Sequence, residues 1–224
     1  MNLNNQLTQA LKDGDLENVK KFVQKGTDVN KESVLYWASY NGHLEVIKYL
    51  VENCAVDVCT KHFGCPHPFT NASSNGHFDI VKYFVKIGIH QYHFDDAFCE
   101  AVVWNHYDVA DYLLKHGANV HDNYLLHLII ENEDLNGIKY LVENGVNVDL
   151  ALRKIVLSEY IYPKTKIDAI NIVKTHQLIQ FTKKHVQKVK HGIVIDNLEE
   201  IFWSPPNGIR YKELNKKYRK IIID

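Results

Sequence analysis

Four potential metal ligands fall within nine residues of this chain, Cys59, His62, Cys65 and His67, spaced by two, two and one residues. Cysteine and histidine in that number match the donor set of a structural zinc ion. Ligand pairs in zinc folds normally bracket a long segment that the metal staples together. Four donors in one short loop would need a very tight wrap, so the reading preferred here is a plain loop with incidental Cys and His, and no metal or other cofactor is expected. Thirteen histidines also raise the question of acid–base chemistry. His43, His77 and His106, however, recur at one position of a repeated phrase, which points to a structural role. No nucleophile elbow and no Gly-rich phosphate loop after a strand is present, so no catalytic residue is assigned.

Charge is unevenly distributed. Residues 1–150 hold 11 Lys/Arg against 20 Asp/Glu, a balance of −9, whereas residues 151–224 hold 15 against 7, a balance of +8. Lys183, Lys184, Lys188 and Lys190 form one basic cluster, and Lys216, Lys217, Arg219 and Lys220 another, with Tyr211 and Tyr218 nearby. Basic residues interleaved with aromatics can hold phosphates and stack bases. The acidic body would repel the same polyanion, so nucleic acid is the disfavoured partner. The string KKYRK at 216–220 also fits a nuclear import signal. No apolar run of membrane-spanning length occurs, and the first residues lack an apolar signal core, so no membrane partner is expected. The four cysteines then read as reduced thiols of the cytosol or nucleus.

The elements that position these residues come from repetition. Residues 42–52 read GHLEVIKYLVE and residues 76–86 read GHFDIVKYFVK; weaker copies lie at 14–24, 105–115 and 133–143. Anchored on Gly14, Gly42, Gly76, Asn105 and Glu133, the intervals are 28, 34, 29 and 28 residues. A period near 30 marks stacked supersecondary units, none of which can bury its apolar face alone. Within a unit, residues 33–40 (SVLYWASY) predict a short helix, Asn41-Gly42 a tight turn, and residues 43–53 a second helix with Leu44, Val46, Ile47, Leu50 and Val51 on one stripe. Gly117 and Gly145 follow the second helices of the fourth and fifth units as C-caps.

These residues resemble the ankyrin repeat. Gly42-His43 and Gly76-His77 match its Gly-His turn, and Ala10, Ala38, Ala72 and Ala101 its inner-helix alanine. The resemblance covers about residues 5–149, and five copies in register make it specific. No copy carries a full Thr-Pro-Leu-His; Pro68-Phe69 and Leu126-His127 are the nearest remnants, so individual units are expected to be less stable than the family's. Connections at 30–33, 92–96 and 121–124 are short, so projecting hairpins are expected to be stunted everywhere except at 59–67. Shortened units with Lys-Tyr-Leu-Val stripes are similar to those of ankyrin proteins from large DNA viruses of amoebae.

The expected fold is therefore all-α: an ankyrin-type helical solenoid with short inter-repeat loops and a helical C-terminal cap or extension. Three segments are expected. Residues 1–149 form five units, 150–182 a degenerate sixth or cap with helices at 150–160 and 167–181 separated around Pro163, and 183–224 a basic extension. In that extension residues 196–202 suggest a helical turn, 204–208 a break and 211–223 a last helix or tail. The resemblance implies non-catalytic protein binding on the concave face, as an adaptor or scaffold, by a monomer with an unidentified protein partner. The pairs before each turn glycine map to Lys12-Asp13, Tyr40-Asn41, Ser74-Asn75, Val103-Trp104 and Glu131-Asn132. Loop candidates are Lys31, Glu32, Phe94, Asp122 and Asn123. Tyr40 and Trp104 stand out as aromatic anchors, with core packing the alternative for Trp104. Two other functions are carried: a nucleic-acid-associated factor using the basic tail, and a ubiquitin-ligase substrate adaptor, since similar viral proteins end in an F-box-like segment. No Leu-Pro start for such a box is found here. A cytoplasmic location is expected, the host cytoplasm for a viral protein, with the nucleus as the alternative.

Overall fold

The structure is a computed structural model and describes residues 3–29, 33–58, 67–121 and 123–190. The described residues form helices only. In chain order these are α1 (Leu3–Asp13), α2 (Leu16–Gln24), α3 (Val34–Tyr40), α4 (Leu44–Cys54), α5 (Pro68–Ser74), α6 (Phe78–Lys86), α7 (His93–Val103), α8 (Tyr107–Lys115), α9 (Asn123–Glu131), α10 (Leu135–Glu143), α11 (Val148–Leu157) and α12 (Pro163–Lys190). Contacts divide the chain into a unit of residues 1–177 and a unit of residues 178–224; of the second, the described part is the C-terminal stretch of α12. The rest of the expected basic extension, with its helical turn, break and tail, lies outside the described residues.

In the first unit, consecutive helices pair as hairpins, and odd-numbered helices pack on one another in sequence from α1 to α11. They make an inner layer, with α2, α4, α6, α8 and α10 outside it. Ala38, Ala72 and Ala101 are fully buried in the inner layer, which lets neighbouring helix axes approach. The core is continuous from Leu7 to Val173 and includes Phe69, whose ring meets Phe84 edge-on at 6.1 Å and Phe94 at 5.4 Å.

Each hairpin turns on a left-handed residue. Gly14, Gly42, Gly76, Asn105 and Glu133, the five anchors of the repeated phrase, all have positive φ. At Gly42 the missing side chain does more than permit the angle: an added Cβ would overlap the His77 imidazole of the next hairpin. His77 Nε2 donates to the carbonyl of Tyr40 at 2.9 Å, and His43 Nε2 to that of Lys12 at 2.8 Å. A carbonyl only accepts, so these rings carry their proton on Nε2. His106 sits against Gly76 in the same way. These histidines therefore join one hairpin to the one before it, as their recurrence implies.

Asn105 and Glu133 hold the same backbone angle without being glycine, at φ of 61° and 56°. The Glu133 carboxylate accepts from the Tyr162 backbone N–H at 3.1 Å and the Thr165 hydroxyl at 2.6 Å. Those bonds tie the fifth turn to the start of α12. Pro163 begins α12 rather than separating it from α11, because its missing N–H falls among donors that have no partner within the helix. The helix then continues to Lys190, through the boundary expected at 183. At the end of α4, where no glycine stands, Ala55 takes the left-handed position at φ 53°.

Replacing Gly42 by Ala should cost about 2 kcal/mol or more, from left-handed strain and displacement of His77. Glu133→Gly relaxes its own backbone but loses two bonds to residues 162–165, for a net loss of about 1 kcal/mol. Urea unfolding of both variants beside wild type measures the pair; a stabilised Glu133→Gly protein would show that its bonds contribute little.

Candidate protein-binding face

A left-handed residue follows α1, α3, α5, α7 and α9 at a fixed register, so the two residues before it recur at one position of each hairpin. Tyr40 is 47% exposed and lies over Tyr36, ring centroids 6.1 Å apart and nearly parallel. Trp104 is 60% exposed, and its indole N–H donates to Glu100 Oε2 at 3.1 Å. Trp104 is therefore a surface residue and not the core residue considered as its alternative. Val103, beside it, is half-buried against the core.

The asparagines before the turns have a local task. Asn41 Nδ2 donates to the Trp37 carbonyl at 2.9 Å and Asn75 Nδ2 to the Asn71 carbonyl at 2.9 Å, each closing a helix C-terminus. Ser74 Oγ likewise donates to the Asn71 carbonyl at 3.0 Å. These side chains spend donors on the backbone. Glu131 stands 3.2 Å from His127 Nε2, and Asn132 is exposed.

Phe94 corrects an expectation. The spacing puts it on a loop, but α7 starts at His93, and Phe94 is 4% exposed, packed on Phe69. It shares one apolar stripe with Ala97, Phe98 and Ala101, and burial of that stripe pulls Phe94 into the helix. Asn123 opens α9 and is exposed, whereas Asp122, Lys31 and Glu32 lie outside the described residues. Sequence reasoning passes over Tyr36, Trp37, Tyr124 and Leu157. Lys12 Nζ sits 3.8 Å from the Trp37 ring centroid, and Tyr124 and Leu157 are 68% and 71% exposed. The turn-to-turn register does not find Leu157, because 28 residues on from Glu133 the position two before the next anchor is Glu159.

Cys59, His62 and Cys65 lie outside the described residues. His67 is buried, its Nδ1 accepts the Phe69 N–H at 3.2 Å as the N-cap of α5, and its ring stacks on His93 at 3.8 Å. Among the described residues no three His, Cys, Asp or Glu side chains are grouped so as to hold a metal ion.

The outer layer carries the perturbed groups. Tyr83 donates to Glu52 at 3.1 Å, and burial first, then that carboxylate, pushes its phenol up to about 12. Tyr107 is pushed up to about 12, chiefly by burial, and stacks on Tyr140 at 4.6 Å. Burial also raises Tyr140, which donates to Asp111 at 2.9 Å. These bonds bridge α4 to α6 and α8 to α10; they are structural ties, with no reacting group beside them.

The family model described as Ankyrin repeats (3 copies) matches residues 7–95, and the one described as Ankyrin repeat matches residues 97–124. Among solved structures, the human ASB11 ankyrin repeat domain aligns with a TM-score of 0.59 at 21% identity, covering 76% of this chain and 82% of that one. That likeness is one of fold. No curated protein matches the chain. Among the described residues no helix is long and apolar enough to cross a membrane.

Trp104→Ala should leave stability within about 0.5 kcal/mol of wild type, as for other exposed positions, while Phe94→Ala should lose about 3–5 kcal/mol. Urea unfolding decides between them; equal losses would return Trp104 to the core. A second expectation concerns alkali. The unfolded chain ionises its tyrosines near pH 10, whereas the folded chain holds Tyr83 and Tyr107 protonated to about pH 12, so stability persists below pH 10 and falls between the two. Urea midpoints at about pH 8 and pH 11 should differ less once Tyr83 and Tyr107 are replaced by Phe.

Proposed function

Because this chain belongs to the ankyrin-repeat family, we propose that it is a non-catalytic protein-binding module, an adaptor or scaffold that docks its partner on the exposed face of the inner helices. The carrying observation is Trp104, a large aromatic held at 60% exposure with its N–H tied to a carboxylate. A side chain so exposed contributes little to folding, and a buried counterpart across an interface would recover about 2 kcal/mol or more as a hot spot. Tyr40 and Val103 place an aromatic and an apolar side chain at one register of α3 and α7, two hairpins apart, which supports a partner that runs across neighbouring hairpins. The resemblance to viral ankyrin proteins supports a search among host cytoplasmic proteins.

The basic-tail alternative draws on Lys183, which is exposed, and on residues whose side chains lie outside the described set. The ubiquitin-ligase reading has no feature of its own on the described residues to support it.

The test is affinity capture with quantitative mass spectrometry, using wild type, a Tyr40→Ala/Trp104→Ala double variant and an outer-face Glu143→Gln control. Partners retained by wild type and control should fall about tenfold or more with the double variant. An unchanged set of partners overturns the reading. Nucleic-acid capture that falls steeply with added salt and disappears on removal of residues 183–224 would favour the alternative.

A further inference from the structure

We propose that this face takes a protein segment bearing arginine, with the guanidinium stacked on Trp104 and paired to Glu100; the inference rests on the inner-face reading above. Asp96 and Glu100 on α7 and its C-cap Trp104 stand at i, i+4 and i+8, one line along the helix. Asp96 is exposed, Glu100 partly so, and Trp104 more than half. The 3.1 Å bond from the indole N–H to Glu100 Oε2 holds a carboxylate at the edge of the ring. It engages the N–H in the ring plane, and the residue as a whole stays 60% exposed. A planar cation stacked on a face of the ring gains a cation–π contact, and its own N–H groups lie beside the Glu100 carboxylate. Arginine suits both demands better than lysine, because its fork is flat and bidentate.

The same side of the inner layer already holds one such contact from within the chain. Lys12 Nζ lies 3.8 Å from the Trp37 centroid. Among the described residues no Lys or Arg stands over Trp104. Charge points the same way. Asp96 and Glu100 on α7 and Glu131 on α9 are carboxylates of this face, and Lys12 is engaged with Trp37. Residues 1–150 carry a balance of −9, a field that draws cations and repels nucleic acid. With hairpins about 10 Å apart, Trp104 and the Tyr36–Tyr40 pair are about 20 Å apart. That span fits about six residues of an extended segment.

Short peptides of Gly-Ser-Xaa repeats, with Xaa arginine, its neutral isostere citrulline, or glutamate, test the proposal by fluorescence anisotropy on the full chain in about 0.15 M salt. The arginine peptide should bind at least about tenfold tighter than the citrulline one. Glu100→Gln and Trp104→Ala should each remove most of that preference, and Glu143→Gln on the outer layer should keep it. Both inner-face positions reach solvent, and a circular-dichroism melt of each variant checks that it folds. Equal binding of arginine and citrulline peptides overturns the proposal. So does an arginine preference that survives both inner-face substitutions, which would report general attraction to an acidic chain. If captured partners need Tyr40 and Trp104 but bind the Glu100→Gln protein undiminished, this inference fails and the inner-face reading stands. If partners ignore all three residues, both fail.

Discussion

The stack depends on an imidazole filling the space that the preceding hairpin's turn leaves open. At Gly14, Gly42 and Gly76 the turn has no side chain, and the ring of His43, His77 or His106 occupies that place. Two of these rings also donate to a carbonyl more than 30 residues earlier in the chain. One residue pair thus does two jobs: the glycine sets the hand of the turn, and the histidine fixes the spacing to the next unit. Neither works without the other, since a Cβ at the turn would push the ring out.

At both ends of the array the device changes. The position of the histidine is taken by Asp15 in the first hairpin and Asp134 in the fifth. Each carboxylate caps its own helix instead, accepting from Asn18 N–H in α2 and from Asn136 and Gly137 N–H in α10. The Asn18 bonds hold the Asp15 carboxyl below its usual range. Local capping replaces cross-unit bonding at these positions. The fifth hairpin is tied to residues 162–165 by Glu133, which accepts the backbone strain of a left-handed residue and uses its carboxylate to hold the start of α12. A repeat array needs atypical terminal units, and here that difference comes down to a few side chains.

The two layers use their polar and aromatic side chains differently. Outer helices are joined by tyrosine-to-carboxylate bonds, Tyr83 to Glu52 and Tyr140 to Asp111, so polar groups there are committed to the fold. On the odd-numbered helices and their caps the turn asparagines close helix ends, while Tyr40, Trp104, Tyr124 and Leu157 remain exposed. Exposed aromatics beside carboxylates cost the stack little, and they are the chemistry with which a partner can be gripped.

Read from the residues alone, the period with its five anchors, the turn at Asn41-Gly42, the inner alanines and the glycine C-caps were legible, because each is dictated by local backbone geometry or by apolar spacing within about a dozen residues; the left-handed angle at Asn105 and Glu133 was not. Of the site, the positions before each turn were legible for the same reason. What only the tertiary structure decided was how far each side chain reaches solvent. Phe94 and Trp104 belong to one helix and its cap, yet one is covered by Phe69 from the previous hairpin and the other stays 60% exposed. Ala55 in a glycine's place, Pro163 as a helix start, Lys12 over Trp37 and Glu133 holding residues 162–165 were likewise hidden, as was the exposure of Leu157. Burial and hydrogen bonding at these positions depend on neighbours from other turns and hairpins, many of them about 30 residues away, and a local pattern cannot contain such neighbours until the hairpins have stacked.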